Sequence, residues 1–212
     1  DKASQMPKPH YAPSRFQRVF AILALLAALL VAGTAYYFSG QIQTATSTGT
    51  ALVGGPFTLT DQDGRKVTDK DFLGHYMLVF FGYTYCPDLC PTELQVMSAA
   101  LDSMGAKADA IQPVFISFDP ERDTPEVLKQ YVSNFHSRLV GLTGTPEEVA
   151  VAAKAYRVYY SKVPNSSAPD TYLMDHSTIT YLMDPQGKFL KHFSYSTDSA
   201  ALAKALEAAM AP

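Results

Sequence analysis

The sequence predicts an α/β domain preceded by one transmembrane helix, and three observations lead to this prediction. Residues 19–38 carry no charge, and 20 such residues are long enough to cross roughly 30 Å of hydrocarbon as a helix. After them, apolar segments of strand length alternate with segments of helical periodicity, which is the pattern of an α/β fold. Both cysteines, Cys86 and Cys90, lie between the first apolar core strand and the helical segment that follows it.

The uncharged run divides the chain into four parts. Residues 1–18 are polar, basic and rich in proline, and they are predicted to form a disordered cytoplasmic tail. Residues 19–38 form the anchor, and residues 39–50 are an uncharged linker of mostly Thr, Ser and Gln. Residues 51–212 form the domain, which is long enough to bury a full hydrophobic core.

The placement of basic residues predicts the orientation of the anchor. Arg15 and Arg18 lie just before the uncharged run, and no Lys or Arg follows until Arg65. The positive-inside rule therefore puts the N-terminus in the cytoplasm or mitochondrial matrix and the domain on the other side of the membrane. A signal peptide cleaved near residues 33–35 is the alternative, and it would also export the domain. A buried core helix is a third and weaker interpretation.

The charge of the domain argues against a nucleic-acid partner. Four of the 17 Lys and Arg residues and one of the 20 Asp and Glu residues lie in residues 1–40. The remainder therefore carries 13 bases and 19 acids, a net charge of −6. Two cysteines are also too few for a scaffold held together by disulfides.

Three elements are predicted before the cysteines. Residues 57–67 alternate apolar and polar side chains around Asp63 and Gly64, which is typical of a hairpin. Residues 68–72 are predicted to form a short helical turn. The apolar run 77–81 is predicted to be a buried strand.

The elements after the cysteines give the domain its predicted class. They are a helix through residue 105, a strand at 111–118, a helix from 125 to about 135, a short strand at 139–142, a helix from 146 to about 155, a strand at 158–163, a loop at 164–170, a hairpin of strands 178–183 and 189–193, and a helix from 199 to 210. This order is that of a thioredoxin-like domain with an N-terminal hairpin and a segment inserted before the last hairpin.

The cysteine spacing predicts a metal or redox site. Residues four apart in one helical turn or tight loop lie on one side, about 5–6 Å apart at Cβ. Cys86 and Cys90 could therefore bind one metal ion or form a disulfide after a small adjustment. The alternatives are a buried structural disulfide or two inert core thiols, but a disulfide here would close a very short loop and constrain the unfolded chain little.

The prolines in the turn bear on where the helix begins. Pro91 fits best at the first helical position, which would make Cys90 the N-cap. A helix starting at Pro87 would put Pro91 inside the helix and lose a backbone hydrogen bond. The two cysteines have one more intervening residue than the C-x-x-C motif of thioredoxin enzymes, and the peroxiredoxin nucleophile pattern is absent.

A mononuclear site needs at least one more donor, and one histidine is well placed to supply it. Thiolates select Cu(I), zinc or iron–sulfur clusters, and two cysteines alone cannot hold such a cluster. His176 lies where the long loop meets the penultimate strand, and in a thioredoxin-like fold this loop faces the thiols. Two thiolates and one imidazole suit Cu(I), and the same set could hold Cu(II) with one more donor.

The other polar residues near the predicted site have weaker assignments. Asp175 is a candidate for orienting the site, and Asp88 and Asp119 are nearby candidates with equally good surface or capping roles. Met174 is predicted to be a packing residue. The remaining histidines are more typical of solvated or packed side chains than of ligands; they are His10, His75, His136 and His192.

Five stretches of the chain closely resemble the Sco/SenC family. They read GGPFTLTD at 54–61, VTD at 67–69, FFGYTYCPDLCP at 80–91, SFDPERDT at 117–124 and DHS at 175–177. The resemblance covers about residues 51–210, and the pairing of the cysteine motif with Asp-His-Ser is specific to the family. It implies a membrane-anchored, thioredoxin-like protein that binds copper through Cys86, Cys90 and His176.

The resemblance also implies a function in the assembly of cytochrome c oxidase. The first hypothesis is a copper chaperone that delivers Cu(I) or Cu(II) to the copper-bearing subunit of the oxidase. The second is a thiol–disulfide oxidoreductase in which Cys86 and Cys90 cycle between dithiol and disulfide, and the third is a redox or copper sensor. Whether the protein is an enzyme stays open. Other copper chaperones or thiol reductants are possible partners.

The expected location is the inner membrane of a bacterium, with a single span and the domain in the periplasm. The mitochondrial inner membrane, with the domain facing the intermembrane space, is the less favoured alternative. The N-terminal segment lacks the Arg- and Ser-rich, acid-poor amphipathic pattern of a mitochondrial presequence.

Overall fold

The computed structural model describes residues 15–42, 53–164 and 171–210, in two units, Asp1–Thr50 and Ala51–Pro212. In the first unit a 28-residue helix, α1, runs over Arg15–Ile42. Among the described residues, no helix meets the length and apolarity needed to span a membrane, so the predicted transmembrane helix is not confirmed. Most of the predicted tail and of the predicted linker lies outside the described residues.

The second unit contains nine strands and four further helices in its described residues. The strands are β1 Thr58–Asp61, β2 Lys66–Thr68, β3 Tyr76–Gly82, β4 Ile111–Ser117, β5 Val140–Thr143, β6 Tyr160–Pro164, β7 Tyr172–His176, β8 Ile179–Met183 and β9 Phe189–Ser194. The helices are α2 Leu89–Met104, α3 Pro125–Val132, α4 Pro146–Ala155 and α5 Ser199–Met210, with short 3-10 turns at Asp69–Phe72 and Gly105–Ala110.

Seven strands form one mixed sheet in the order β2-β1-β5-β4-β3-β8-β9. Strands β3, β4 and β5 are parallel to one another, and the remaining pairs are antiparallel. Six of the seven residues of β3 are buried, because a central strand covered on both faces needs a continuous apolar sequence. The cysteine turn begins at the carboxyl end of this strand. The thioredoxin-like α/β class is thus confirmed, with the N-terminal hairpin and the inserted segment.

Helix α2 begins two residues earlier than predicted. Asp88 is its N-cap, and Thr92 N–H donates the first helical hydrogen bond to the Asp88 carbonyl, at 3.1 Å. Pro91 therefore occupies the third helical position rather than the first, and Cys90 occupies the second. This costs no hydrogen bond, since the first four N–H groups of a helix have no partner within it.

The inserted segment contains a strand that the sequence did not predict. Strand β7 pairs antiparallel with β6 in a separate two-stranded sheet, with Tyr160 opposite His176. The predicted strand at 158–163 corresponds to β6. The loop predicted at 164–170 lies outside the described residues except for Pro164, which ends β6.

Candidate metal centre

The structure brings the three predicted ligands together. The sulfur atoms of Cys86 and Cys90 and a ring nitrogen of His176 all lie within 4.8 Å of one another. Across the described parts of the chain, no other group of three or more His, Cys, Asp or Glu side chains meets this criterion. The site joins the end of β3, the first turn of α2 and the end of β7.

The two cysteines occupy different environments in the turn. Cys86 is 8% exposed, and Cys90 is fully buried on the first turn of α2. Neither forms a disulfide, and Cys90 N–H donates a hydrogen bond of 3.3 Å to Cys86 Sγ. The N-terminal end of α2 also favours a negative charge at this position. These contacts favour a thiolate at Cys86.

The pKa values of the two thiols move in opposite directions. A hydrogen bond from the Cys90 thiol lowers the pKa of Cys86 to about 4, and backbone N–H groups lower it further, although burial raises it. The same hydrogen bond and burial raise the pKa of Cys90 well above its ordinary value. At neutral pH the pair therefore holds one thiolate and one thiol.

His176 presents one ring nitrogen to the thiols and holds the other away from them. Its Nδ1 lies 3.0 Å from the Ser177 carbonyl, which can only accept a hydrogen bond, so Nδ1 carries the proton. Nε2 lies 4.0 Å from Cys90 Sγ and keeps its lone pair for a metal ion. The Ser177 carbonyl thus has the orienting role that was predicted for Asp175.

Aromatic rings surround the imidazole and restrict its rotation. The ring of Tyr83 meets it edge-on at 6.0 Å, and the ring of Phe118 lies 4.9 Å away. Tyr160, the first residue of β6, stacks on Phe118 with 5.3 Å between the two ring centres. The ligand is therefore oriented by packing as well as by its hydrogen bond.

The three candidate carboxylates do not belong to the ligand group. Asp175 and Asp88 are exposed and line the groove beside the thiols. Asp119 is buried and bonds to Tyr172 and Arg122 instead.

Sequence reasoning missed another buried carboxylate, Asp123, which hydrogen-bonds to Thr84 near the cysteines. Its position in the SFDPERDT stretch was the available signal. Met174 is buried, as predicted for a packing residue. The other described histidines, His75, His136 and His192, do not belong to the ligand group. His10 is not among the described residues.

A groove of about 440 Å³ opens beside Cys86 and His176. Its walls come from the cysteine turn and from the β6–β7 hairpin, and most of its surface is apolar. The walls include Pro87, Leu89, Val163, Leu173 and Met174. A ligand or protein segment in this groove would reach Cys86 before the buried Cys90.

The donor set indicates which metal the site could hold. Two sulfurs and one imidazole nitrogen are soft to intermediate donors, and they suit Cu(I) better than Mg²⁺ or Ca²⁺. A structural zinc site normally closes with four protein ligands. Only three donors converge within the described residues, which favours Cu(I).

Comparison with known proteins finds one family. The SCO1/SenC family model matches residues 45–211. The human mitochondrial SCO1 homolog is 46% identical over 166 residues, which cover 77% of this chain and 55% of the relative. SenC of Rhodobacter capsulatus is 47% identical over 148 residues, which cover 70% of this chain and 66% of the relative. The chain thus spans about half to two thirds of the length of these two relatives.

Solved structures show the same fold with metal bound. Copper-bound ScoI of Arabidopsis thaliana matches with a TM-score of 0.71 and 42% identity, over 74% of this chain and 98% of that one. Copper-bound ScoI of Bradyrhizobium japonicum matches with a TM-score of 0.68 and 47% identity, over 74% of this chain and 99% of that one.

Proposed function

The chain belongs to the SCO1/SenC family, and on that basis we propose that it binds one copper ion through Cys86, Cys90 and His176 and delivers it to the copper-bearing subunit of cytochrome c oxidase. The observation that carries this proposal is the convergence of two sulfurs and one ring nitrogen within 4.8 Å. The copper-bound structures of relatives at 42% and 47% identity support copper as the metal.

Delivery requires ligand exchange and no change in the oxidation state of the copper. Cys86 lies at the edge of the groove, so a donor on the partner would displace this thiolate first. Cys90 and His176 would hold the ion until further partner ligands replace them. Cys90 then regains a proton, because its pKa is raised in the metal-free protein.

A Cu(I) titration of the full chain tests the proposed site. The reduced protein would compete for Cu(I) with a chromophoric chelator without oxygen, beside the His176→Ala and His192→Ala variants. We expect one tight equivalent, weakened by His176→Ala and unchanged by His192→Ala, since His192 is exposed and does not belong to the ligand group. Weak binding by the unmodified chain, or binding indifferent to His176, would refute the site.

A second candidate function follows from the asymmetry of the thiols. Cys86 lines the groove and is ionised, whereas Cys90 is fully buried and protonated, as in a nucleophile and a resolving thiol. The Cys86 thiolate would attack a partner disulfide and release one partner thiol. Cys90 would then lose its proton and displace the second, which leaves a Cys86–Cys90 disulfide and a dithiol on the partner. A thiol reductant would restore the protein.

The His176→Ala variant distinguishes the two functions. Copper delivery needs this ligand, whereas disulfide exchange uses only the two sulfurs. Retained reduction of a disulfide-bonded oxidase subunit, together with lost copper transfer, would mean that the same thiols support both functions. Loss of both activities would indicate that disulfide exchange also depends on His176.

We further propose that residues 19–38 anchor the domain to an inner membrane, with the domain on its outer side. The support is the uncharged sequence with arginines only on its N-terminal side. Alkaline extraction of membranes from expressing bacteria tests this. Release of the protein into the supernatant would exclude an anchor, and retention would agree with it.

A further inference from the structure

The thiols and the imidazole are carried by two different sheets. The cysteine turn continues from β3 in the seven-stranded sheet, but His176 ends β7 in a separate two-stranded sheet. No strand of one sheet pairs with a strand of the other in the described residues. His176 is tied to the main sheet by the chain, since β8 begins three residues later and pairs with β3, and side-chain contacts between the two segments add to this connection.

Asp123 binds the cysteine turn from the loop that follows β4. Its carboxylate is fully buried and accepts hydrogen bonds from Thr84 N–H at 3.0 Å and from Thr84 Oγ1 at 2.6 Å. It accepts a third from Ser117 Oγ at 2.5 Å. Thr84 precedes Cys86 by two residues, so these bonds hold the backbone that enters the turn.

The same loop also binds the segment that carries His176. Asp119 accepts a hydrogen bond of 2.6 Å from the Tyr172 hydroxyl. Its carboxylate also forms an ion pair with Arg122, whose Nε donates a hydrogen bond of 2.5 Å to it. Arg122 Nη1 donates to the Tyr172 carbonyl at 3.0 Å, and its guanidinium lies 3.6 Å from the centre of the Tyr172 ring. Tyr172 is the first residue of β7, and His176 is the last.

We propose that Asp123 is a positioning residue of the metal centre, which holds the Cys86 turn through Thr84 while the rest of its loop holds the strand of His176. This inference rests on the proposed function, because it concerns the same site. Residues 117–123 thus connect the two halves of the metal centre. Asp123 holds the cysteine turn (the sulfur side), and Asp119 with Arg122 holds strand β7 (the imidazole side).

The burial of Asp123 indicates that its hydrogen bonds fix the positions of the groups that donate them. Removing a carboxylate from water costs free energy, and burial raises its pKa. An apolar side chain could fill the same space without that cost. A buried carboxylate with three hydrogen bonds supplies defined geometry. Two of its donors belong to Thr84, two residues after β3, and the third belongs to Ser117, the last residue of β4.

Asp61 provides a matched control at a distance from the site. It is also a buried aspartate, 3% exposed, and accepts hydrogen bonds from Asp63 N–H, Arg65 N–H and Arg65 Nε in the β1–β2 hairpin. Replacing it removes a similar number of bonds from a turn of the same domain. It does not contact the cysteines or β7 in any of these bonds.

The test compares Asp123→Ala, Asp123→Asn, Thr84→Val and Asp61→Ala in the full chain. Alkylation of the reduced, metal-free protein at a series of pH values measures the ionisation of Cys86, and chelator competition measures Cu(I) affinity. We expect Asp123→Ala to weaken Cu(I) binding by about tenfold and to shift the alkylation midpoint, because the backbone that enters the cysteine turn loses the two hydrogen bonds of Thr84. Thr84→Val should shift both in the same direction by less, and Asp61→Ala should leave both unchanged.

The outcomes separate this inference from the proposed function. If Asp123→Ala matches Asp61→Ala in both measurements, Asp123 has no positioning role. If the unmodified chain does not bind Cu(I), the proposed function fails, but the alkylation midpoint still decides the role of Asp123. Should Asp123→Ala not fold, Asp123→Asn and Thr84→Val decide, and unchanged midpoints in both would overturn the proposal.

Discussion

The two halves of the metal centre are attached to the domain in different ways. The cysteine turn continues from β3, whose neighbours β4 and β8 pair with it on both sides. Among the described residues, the β6–β7 hairpin pairs only within itself. It connects to β8 through two residues and contacts side chains of the rest of the domain through Tyr172 and Met174. The thiols are thus placed by main-chain structure, and the imidazole is placed by packing and a few hydrogen bonds.

Two contacts illustrate the difference. A Cβ atom added to Gly82 at the end of β3 would lie 2.8 Å from Cys90 Sγ, so the sulfur packs directly against the backbone of the central strand. On the hairpin side, Met174 N–H donates to the hydroxyl of Tyr83 at 3.3 Å, a side-chain contact made across the site. Substitutions in the central sheet should therefore displace the cysteine sulfurs, whereas loss of a single polar group should displace the imidazole of His176.

The largest expected effect is the pH dependence of copper affinity, and we expect it to come from protonation of the thiols in the cysteine turn. Cys86, with a pKa of about 4, is already ionised at pH 6–8, whereas Cys90 is protonated. Binding then releases one proton, so affinity rises about tenfold per pH unit and about 100-fold from pH 6 to 8. Chelator competition at several pH values measures the slope, and His176→Ala should keep it.

If the slope of copper affinity against pH corresponds to the release of two protons, both thiols are protonated before binding. A slope that disappears in His176→Ala would assign the pH dependence to the hairpin and remove the distinction between the two halves.

Gly82→Ala should disturb the sulfur side. The added Cβ would also lie 2.7 Å from Phe115 Cε2, so we expect a loss of about 1–3 kcal/mol in the free energy of unfolding and weaker Cu(I) binding. Gly141→Ala is the matched control, since its Cβ would crowd Val132 Cγ1 at 2.9 Å, away from the thiols. Urea unfolding and Cu(I) competition measure both variants. Equal copper affinity in the two would contradict the direct placement of Cys90 by β3.

Tyr172→Phe should disturb the imidazole side by a smaller amount. It removes the hydroxyl that donates to the buried Asp119, and we expect a loss of about 1 kcal/mol in stability and a decrease of about tenfold or less in Cu(I) affinity. Tyr159→Phe is the control, because Tyr159 is 59% exposed and its hydroxyl contacts only Ser161 among the contacts described. Identical affinities in the two variants would mean that the hairpin is held without Tyr172.

Leu89→Ser should have the smallest effect on the isolated protein. Leu89 is 38% exposed at the rim of the groove, so stability should change by less than about 0.5 kcal/mol and Cu(I) affinity should stay the same. Transfer of copper to the oxidase subunit should be slower. Leu190 on β9 is 42% exposed, and the Leu190→Ser variant should transfer copper at the normal rate. Equal transfer rates would exclude the rim from partner contact.

The sequence was most informative where local patterns determine structure. The apolar run of β3, the apolar spacing of α2 and the cysteine spacing each predicted what the structure contains, because each depends on neighbours within a few residues. The start of α2 was misplaced because proline is tolerated anywhere in the first turn, so its position did not define the N-cap.

The features that the sequence did not reveal depend on contacts between distant residues. Strand β7 is five residues long and, among the described strands, pairs only with β6, so it has no long alternating pattern to identify it. Asp123 resembles any surface aspartate in sequence, and its burial depends on Thr84, 39 residues earlier. The assignment of His176 needed the fold and the family resemblance, since a lone histidine near a strand has no signature of its own.

The unequal exposure of the two sulfurs has a consequence for oxidative damage. Peroxide entering from the groove meets the Cys86 thiolate, while the fully buried Cys90 is shielded. A sulfenic acid formed on Cys86 would have the Cys90 thiol within 4.8 Å, and their condensation yields a disulfide and water. We therefore expect this pair to stop at a state that thiol reductants can reverse, before irreversible sulfinic acid forms, and mass spectrometry after peroxide treatment would detect which product accumulates.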